Sequence, residues 1–482
     1  MKQIECQIVF LSICHYIRKN YNLMSLFYTM PIVFLIGVIM IALEDVIRIN
    51  KAATAVGMCI LLWVMFLLDA TGIFSAHKPE FMVKFIDAFP HFASLSTAEQ
   101  AFRYIEFSMT EALGDVSTTL FFVLGSMVII EVLDSHGAFG ILSHSIKTTA
   151  KRKLLWILSF ITFFLSMLLG NLATIIIMIA VMRKLMANKE DRILFACMGI
   201  IAANAGGSCS PIGDVTTLLL WTGGNLTASH QISHIFLPCL TTLVAPLTVL
   251  TFTIAKDAHI QVPQQTESNT LPEDITPKFQ KTLLFIGLAT LAMVPVFQSL
   301  IGLPPFMGVL LGVVVLWSIT DLRYAKFKDK NHQHLKISNL FARIDLATIL
   351  FFLGILMSVN ALNASGFLTT MSGTMTRILP EPNSIAAVLG ICSSFLDNVA
   401  LVAAAMGMYP IADAGVFASN GTFWTFLAYC AVTGGSILII GSATGVTAMG
   451  MEKISFGYYL KKFTPLAFLG FAVGAAVFLL LF

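Results

Sequence analysis

Long apolar segments recur along the whole chain, separated for the most part by short polar loops. Most are about 17 to 25 residues long, which is enough for a helix to cross a hydrocarbon core of about 30 Å. The pattern predicts membrane segments near 27–44, 52–73, 118–134, 154–182, 193–222, 232–255, 280–299, 305–320, 345–361, 384–409, 423–447 and 463–481. The expected fold class is therefore an all-α polytopic membrane protein.

The composition agrees with this prediction and excludes other classes. Of 482 residues, 57% are hydrophobic and 11% are charged, whereas soluble domains carry about 25% charged residues. The net charge of +3 comes from loop residues, so nucleic acid is not an expected partner. Eight cysteines without CxxC pairs indicate neither a disulfide framework nor a zinc site. No cofactor is expected, and residues 1–26 are interpreted as an uncertain N-terminal appendage.

The segment 154–182 is basic at both ends, which a simple span does not explain. A straight helix of this length would be about 43 Å long, whereas two arms of about 20 Å would enter and leave on one side. We interpret it as a re-entrant hairpin that turns at LGNLAT. Six loops then become cytoplasmic and carry 22 of the 29 Lys and Arg, as the positive-inside rule requires. These loops are 45–51, 135–153, 183–192, 256–281, 321–343 and 451–462.

The external loops 74–116 and 362–383 carry only four basic residues. To keep the alternation of sides, residues 384–409 must form a second re-entrant hairpin, which enters from outside.

Three motifs recur in the same order at offsets of 227 to 230 residues. They are D-x-x-T-x-L-F-F from Asp115 and Asp345, S-x-x-L-[GD]-N at 166–171 and 393–398, and Gly-Gly-Ser at 206–208 and 434–436. The two copies start on opposite sides of the membrane, so we expect two inverted repeats, each with a re-entrant helical hairpin and a broken transmembrane helix. Asp115 and Asp345 are expected to begin and cap the matched helices.

The repeats divide the chain into segments. N-terminal spans and an external loop occupy 27–114, and the first repeat covers 115–255 with its hairpin at about 154–182. A cytoplasmic linker and repeat-joining spans occupy 256–344, and the second repeat covers 345–482 with its hairpin at about 384–409.

Two acids stand out against the apolar background. Asp397 lies in SSFLDNVALV, where insertion of an ionised acid costs about 2.5–3.5 kcal/mol, so such residues are usually functional. A permanently protonated structural acid is the alternative. Asp214, in SPIGDVTT, follows glycine breaks and could also cap the second half of the broken helix.

Neutral oxygens lie near the same tips and breaks. The candidates are Asn171, Asn398, Asn204, Thr174 and Thr216, with Ser166, Ser393, Thr433 and Ser436 as weaker ones. Each alone could serve as a helix–helix hydrogen bond. Together they form an oxygen-rich, thiolate-free set that suits a hard cation.

Three motifs resemble the NhaD-type sodium/proton antiporters of the ion transporter superfamily. They are NAGGSCSPIGDVTTLLLW at 204–221, FLDNVALV at 395–402 and ALEDVIRINKAATA at 42–55. The resemblance covers about 27–482. It implies a homodimer with a scaffold part and a mobile transport part that holds both tips and both broken helices, working by an elevator-like movement. It also implies that sodium binding and coupling are served by Asp397, Asn398, Asp214, Thr216, Asn204, Thr433 and Ser436.

One position departs from this pattern. Gly170 stands where repeat symmetry places the counterpart of Asp397, so the first tip is expected to contribute only backbone, Asn171 and Thr174.

The resulting hypothesis is that Na⁺ (or Li⁺) and protons compete for Asp397 and Asp214. Burial raises a carboxylate's pKa and a bound cation lowers it, so each substrate expels the other. Such a protein would extrude sodium from the cytoplasm across a lipid bilayer, expected to be the bacterial inner membrane. A sodium-coupled carboxylate transporter is the main alternative. An intramembrane aspartyl protease is another, although PIGD lacks the Gly-x-Gly-Asp pattern, and no enzymatic activity is expected.

Overall fold

The computed structural model describes residues 26–76, 85–86, 89, 95–263, 275–325 and 335–482. Nearly all of the predicted N-terminal appendage, 1–26, lies outside these ranges, as do parts of the predicted loops 74–116, 256–281 and 321–343. Within the described ranges the regular structure is helical, and the only β-pairings are two isolated bridges.

Twenty-two α-helices form the described part of the chain. The first eleven are α1 Leu26–Ala42, α2 Glu44–Ile47, α3 Lys51–Leu68, α4 Ala70–Ala76, α5 Thr97–Ser135, α6 Gly140–Ser145, α7 Lys151–Leu169, α8 Asn171–Leu185, α9 Lys189–Ser208, α10 Val215–Thr222 and α11 Ala228–Thr253. The others are α12 Pro277–Ile301, α13 Pro305–Tyr324, α14 Ile337–Leu340, α15 Leu346–Ala364, α16 Phe367–Ile378, α17 Pro382–Cys392, α18 Asn398–Met408, α19 Thr422–Gly434, α20 Ala443–Glu452, α21 Phe456–Lys462 and α22 Thr464–Leu481. Eight of them are long and apolar enough to cross a membrane. The protein is therefore an all-α, multi-pass membrane protein.

All four predicted interruptions are present. The first hairpin segment is α7 and α8, which meet at Gly170, and the second is α17 and α18, which are separated by 393–397. The first broken span is α9 and α10, interrupted over 209–214, and the second is α19 and α20, interrupted over 435–442. Arms of eleven residues, such as α17 and α18, are about 16 Å long, too short to cross the hydrocarbon core singly.

The prediction for the loop before α5 is wrong in part. This helix begins at Thr97, so residues 97–116 are helical rather than an external loop, and Asp115 lies inside the helix instead of capping it. Ser96 and Glu99 supply the start, because the Ser96 hydroxyl accepts a hydrogen bond from the Glu99 amide at 3.3 Å, the S-x-x-E signature of a helix N-terminus. Since no proline follows before Ser135, the helix continues without a break.

Asp345 directly precedes α15, at the position where a capping residue is expected. The predicted external loop 362–383 contains a twelve-residue helix, α16, that the apolar pattern did not predict.

The chain forms two compact units. The first comprises Met1–Leu120, Leu346–Ile385 and Val399–Ile411. Within it, α3 packs along α15, with the Trp63 indole donating to the Met357 carbonyl at 3.0 Å. The Tyr104 hydroxyl donates to the Ala364 carbonyl at the end of α15, also at 3.0 Å. These buried contacts hold the first unit together around an apolar interior.

The second unit comprises Phe121–Asp345, Ala386–Asn398 and Ala412–Phe482. It contains the turn of each hairpin and both broken helices. Its helices approach closely at glycines: a side chain at Gly206 would meet the Phe163 carbonyl at 2.1 Å, and one at Gly434 would meet the Gly390 carbonyl at 1.9 Å. Each broken helix therefore lies backbone to backbone against one hairpin arm.

The two ends of the first hairpin lie side by side in this unit. The Lys151 amide, at the start of α7, donates to the Ala258 carbonyl at 2.9 Å, and the Ala187 amide, just after α8, donates to the Gln261 carbonyl at 2.8 Å. One short segment, 258–261, thus contacts both ends, and Lys151 also pairs with Asp191. The outer ends of α7 and α8 therefore lie close together, as in a hairpin; that the segment enters and leaves the membrane on one side stays a prediction.

A buried acid joins three helix ends nearby. Glu452, at the end of α20, is 3% exposed in its side chain and pairs with Arg183 at 2.6 Å and Arg192 at 3.2 Å. The Gln280 side-chain amide donates to the His136 carbonyl at 3.0 Å, and the Arg343 guanidinium donates to the Ser135 hydroxyl at 3.2 Å. Contacts therefore connect residues from five of the six predicted cytoplasmic loops.

Candidate functional site

The first hairpin tip is tied directly to the first break. Gly170 separates α7 from α8 with φ of 85°, a left-handed value that glycine tolerates. This turn directs the Asn171 amide to the Gly213 carbonyl at 3.0 Å. Asn171, the first residue of α8, is consequently held beside Asp214, the residue that follows Gly213.

That residue, Asp214, lies at the centre of the site. It precedes α10 and caps it, because its Oδ1 accepts a hydrogen bond from the Thr216 amide at 2.7 Å. The Asn171 Nδ2 donates to the other oxygen, Oδ2, and the Asn398 Nδ2 makes a long contact of 3.5 Å with Oδ1. Capping and participation in the site therefore coexist, and the carboxylate collects donors from both hairpin tips.

Asn204 carries the hydrogen bonds onward to the second broken helix. Its Oδ1 accepts from Asn171 at 3.1 Å, and its Nδ2 donates to the hydroxyls of Ser436 and Ser442 at 2.9 Å and 3.0 Å. Its side chain is fully buried. We call this connected set the oxygen cluster; it comprises Asn171, Asn204, Asp214, Asn398, Ser436 and Ser442.

Asp397 lies beside the oxygen cluster at the second tip. It directly precedes Asn398, the first residue of α18, and its side chain is partly exposed. It lies near enough to Asp214 for the two carboxylates to interact electrostatically. The fold therefore brings together two acids that are far apart in sequence and come from different predicted repeats.

The predicted threonines occupy different positions. Thr174 is fully buried in the first turn of α8, and its hydroxyl has no hydrogen-bond partner among the described residues. Thr216 is buried in the first turn of α10, next to the carboxylate that its amide contacts. The Thr433 hydroxyl instead donates to the Tyr429 carbonyl of its own helix at 2.6 Å, so its hydrogen bond lies outside the oxygen cluster.

Residue-level reasoning missed two hydroxyls of the second break. Ser442 caps α20, accepting from the Gly445 amide at 3.2 Å, as Asp214 caps α10. Thr444 is buried, and within the described part of the chain its hydroxyl has no partner. The Gly-Gly-Ser match, carried forward by the same offset, aligns Asp214 with Ser442 and Thr216 with Thr444. The sequence repeat would therefore have predicted Ser442 and Thr444 as site residues.

Matched serines attach the hairpins to the broken helices. The Ser166 hydroxyl donates to the Ala203 carbonyl in α9, and the Ser393 hydroxyl donates to the Ala431 carbonyl in α19, both at 2.6 Å. These two bonds follow the offset predicted from the sequence. They place Ser166 and Ser393, which were weak candidates for ion binding, in a structural role.

The chemistry of the site suits a small hard cation. The oxygen cluster and Asp397 offer carboxylate, amide and hydroxyl oxygens, the ligand type that such cations prefer. The hydrogen bonds of the cluster involve no Lys or Arg among the described residues. The unpaired buried hydroxyl of Thr174 is the kind of group that an ion or a water satisfies.

Comparison with known proteins places the chain in a family. A family model described as "Citrate transporter" (CitMHS) matches residues 29–425. Two proteins of Arabidopsis thaliana, "Sodium/proton antiporter 1" and "Sodium/proton antiporter 2", are 37% and 36% identical over 450 residues, which is 93% of this chain and 72% and 98% of theirs. The "Na(+)/H(+) antiporter NhaD" of Alkalimonas amylolytica is 31% identical over 392 residues, covering 75% of this chain and 76% of that protein.

These matches confirm the resemblance predicted from the three sequence motifs. They extend over almost the whole chain, including both hairpin tips and both breaks. The chain belongs to the CitMHS family and, within the ion transporter superfamily, to the NhaD-type sodium/proton antiporters.

Proposed function

We propose that this protein exchanges Na⁺ or Li⁺ for protons at the oxygen cluster and Asp397. The observation that carries the proposal is the buried carboxylate of Asp214, which accepts from Asn171 at the first tip and meets Asn398, the neighbour of Asp397, at the second. Relatives of 37% and 31% identity are named sodium/proton antiporters, which supports the same exchange here.

Two neighbouring carboxylates make cation and proton compete. When both are ionised in a poorly hydrated site they repel each other, and either a bound cation or a proton relieves the repulsion. Asn171 holds Asp214 from the first tip while Asn398 approaches it from the second. Exchange then requires that the site cross only in a neutralised state.

Movement and assembly are further parts of the proposal. The second unit contains both hairpin tips and both broken helices, the parts that an elevator-like transport domain would carry. A homodimer in a lipid bilayer would provide the scaffold. In a bacterial inner membrane, the inward proton gradient would drive sodium out of the cytoplasm. The two acids act as ion ligands in this scheme and not as enzymatic groups.

Transport of a carboxylate is the competing function, because the family model is described as a citrate transporter. The site does not favour it, since a carboxylate substrate would face Asp214 and Asp397 with no basic side chain in the hydrogen bonds of the described cluster.

The proposal is tested with purified protein in proteoliposomes that carry a pH gradient. Additions of Na⁺, Li⁺, K⁺ and sodium citrate are compared by the fluorescence of a pH-sensitive dye, and citrate uptake is followed in parallel. We expect Na⁺ or Li⁺ to dissipate the gradient. Asp397→Asn and Asp214→Asn should each reduce this rate more than about tenfold, since charge at membrane depth is rarely replaceable. Asn still caps α10 in the second variant.

Asp413→Asn is the matched control, because Asp413 is an exposed acid of the same unit; it should exchange like the wild type. Retained exchange in Asp397→Asn, or sodium-dependent citrate uptake without proton movement, would refute the proposal.

A further inference from the structure

A buried donor lies behind each broken helix, at the same distance along the chain. The Gln231 side-chain amide donates to the Ser208 carbonyl at 2.9 Å, and the Tyr459 hydroxyl donates to the Ser436 carbonyl at 2.7 Å. In both cases 23 residues separate donor and acceptor, and both donor side chains are fully buried. The two serines are the matched residues of the Gly-Gly-Ser motifs.

Both donors satisfy a backbone carbonyl that the break in the helix leaves without its usual partner. Carbonyl groups at the end of a helix lose the amide partners that a continuing helix would supply. Ser208 ends α9, and Ser436 follows two residues after α19 ends. A buried carbonyl without a donor is costly, so each break depends on one side chain from a later helix, Gln231 of α11 or Tyr459 of α21.

The two serine side chains differ in their contacts. The Ser208 hydroxyl donates to the Ala428 carbonyl at 3.1 Å, a helix–helix contact. The Ser436 hydroxyl accepts from Asn204, which in turn accepts from Asn171. Only Tyr459 therefore holds a residue of the oxygen cluster.

We propose that Tyr459 is a positioning residue of the ion site. By fixing the Ser436 peptide group, it sets where the Ser436 hydroxyl meets Asn204, and hence how the Asn204 oxygen faces Asn171. Gln231 fixes the Ser208 peptide group in the same way, but the Ser208 hydroxyl bonds only the Ala428 carbonyl. This role rests on the proposed exchange function. It predicts that loss of the Tyr459 hydroxyl changes the affinity for the cation, whereas loss of the Gln231 amide does not.

The experiment measures the Na⁺ concentration that gives half-maximal dissipation of a pH gradient. We expect Tyr459→Phe to raise it roughly fivefold, the effect of about one hydrogen bond, with a maximal rate per folded protein within about twofold of wild type. Tyr429→Phe is the matched control: this buried phenol donates to the Phe471 carbonyl at 2.8 Å and contacts Thr242 at 2.7 Å, away from the oxygen cluster. It and Gln231→Met should keep the wild-type value.

The outcomes separate the two hypotheses. A wild-type protein without any response to Na⁺ would contradict the exchange function and this role with it. A responsive wild type whose half-maximal concentration is unchanged in Tyr459→Phe, or is raised equally in Tyr429→Phe, would overturn the positioning role alone. Everted vesicles give the same quantity without purification, so a loss of yield in detergent does not obscure the result.

Discussion

Gly170 has a backbone conformation that few other residues adopt. Its φ of 85° and ψ of 152° fall in a region used almost only by glycine. The Asn171 amide reaches the Gly213 carbonyl from this turn, so the geometry of the tip places Asn171 in the oxygen cluster. An aspartate here, the symmetric counterpart of Asp397, would strain the turn that positions its neighbour.

We predict that Gly170→Ala destabilises the protein by about 1–3 kcal/mol, the cost of holding a side-chain-bearing residue in this region. Thermal unfolding in detergent measures the effect. Gly450→Ala is the control, because Gly450 lies inside α20 with nothing within 4 Å of an added methyl group, where alanine is expected to gain about 0.5–1 kcal/mol. Equal stability of the two variants would contradict the strain at Gly170.

Residue type alone identified part of the site. Asp397, Asp214 and the asparagines stand out because acids and amides are rare in apolar spans. Ser442 does not, since hydroxyls are common in such helices and usually bond their own backbone, as Thr433 does. The role of Tyr459 could not be predicted for a different reason, because a sequence does not show which carbonyl a buried phenol will contact.

Among the helices, the breaks could be predicted from their glycine and proline residues. The start of α5 could not, because its polar sequence does not resemble a membrane helix. Its residues 97–116 are mixed polar and apolar, a composition that is typical of a loop. What joins the elements was also not predictable in detail. In each hairpin a buried serine hydroxyl, that of Ser166 or Ser393, bonds to the broken helix beside it.

We predict that Ser166→Ala and Ser393→Ala each lower the free energy of unfolding by about 1 kcal/mol, the net value of a buried hydrogen bond. Thermal unfolding of the three purified variants and the wild type tests this. Ser318→Ala is the control, because its exposed hydroxyl bonds the Val314 carbonyl of its own helix; it should stay within about 0.5 kcal/mol of wild type. If all three variants match the wild type, these serines do not hold the hairpins.

At the scale of the whole molecule, loop contacts define two ends of the second unit. At one end the Asn420 amide donates to the Asn225 carbonyl at 2.8 Å, just before α11 begins. At the other end Arg152 donates to the Ile254 carbonyl at 2.8 Å, just after α11 ends. The 26 residues of α11 separate these ends by about 39 Å, more than a hydrocarbon core requires. Basic residues gather at the second end, which the positive-inside rule assigns to the cytoplasm.

This arrangement predicts which residues share a side of the membrane. The test uses a protein without other cysteines and introduces one cysteine at a time, at the exposed positions Lys147, Lys189 and Asp413. Each variant is treated with an impermeant maleimide on intact cells and again after permeabilisation. We expect Asp413→Cys to react from outside, and Lys147→Cys and Lys189→Cys to react only after permeabilisation, because both ends of the first hairpin meet the segment 258–261. The cysteine-free protein gives the background. Labelling of positions 147 and 189 from opposite sides would show that α7 and α8 together cross the bilayer instead of returning. If all three positions were labelled from the side opposite to the one expected, the orientation of the protein would be reversed and the hairpin would still hold.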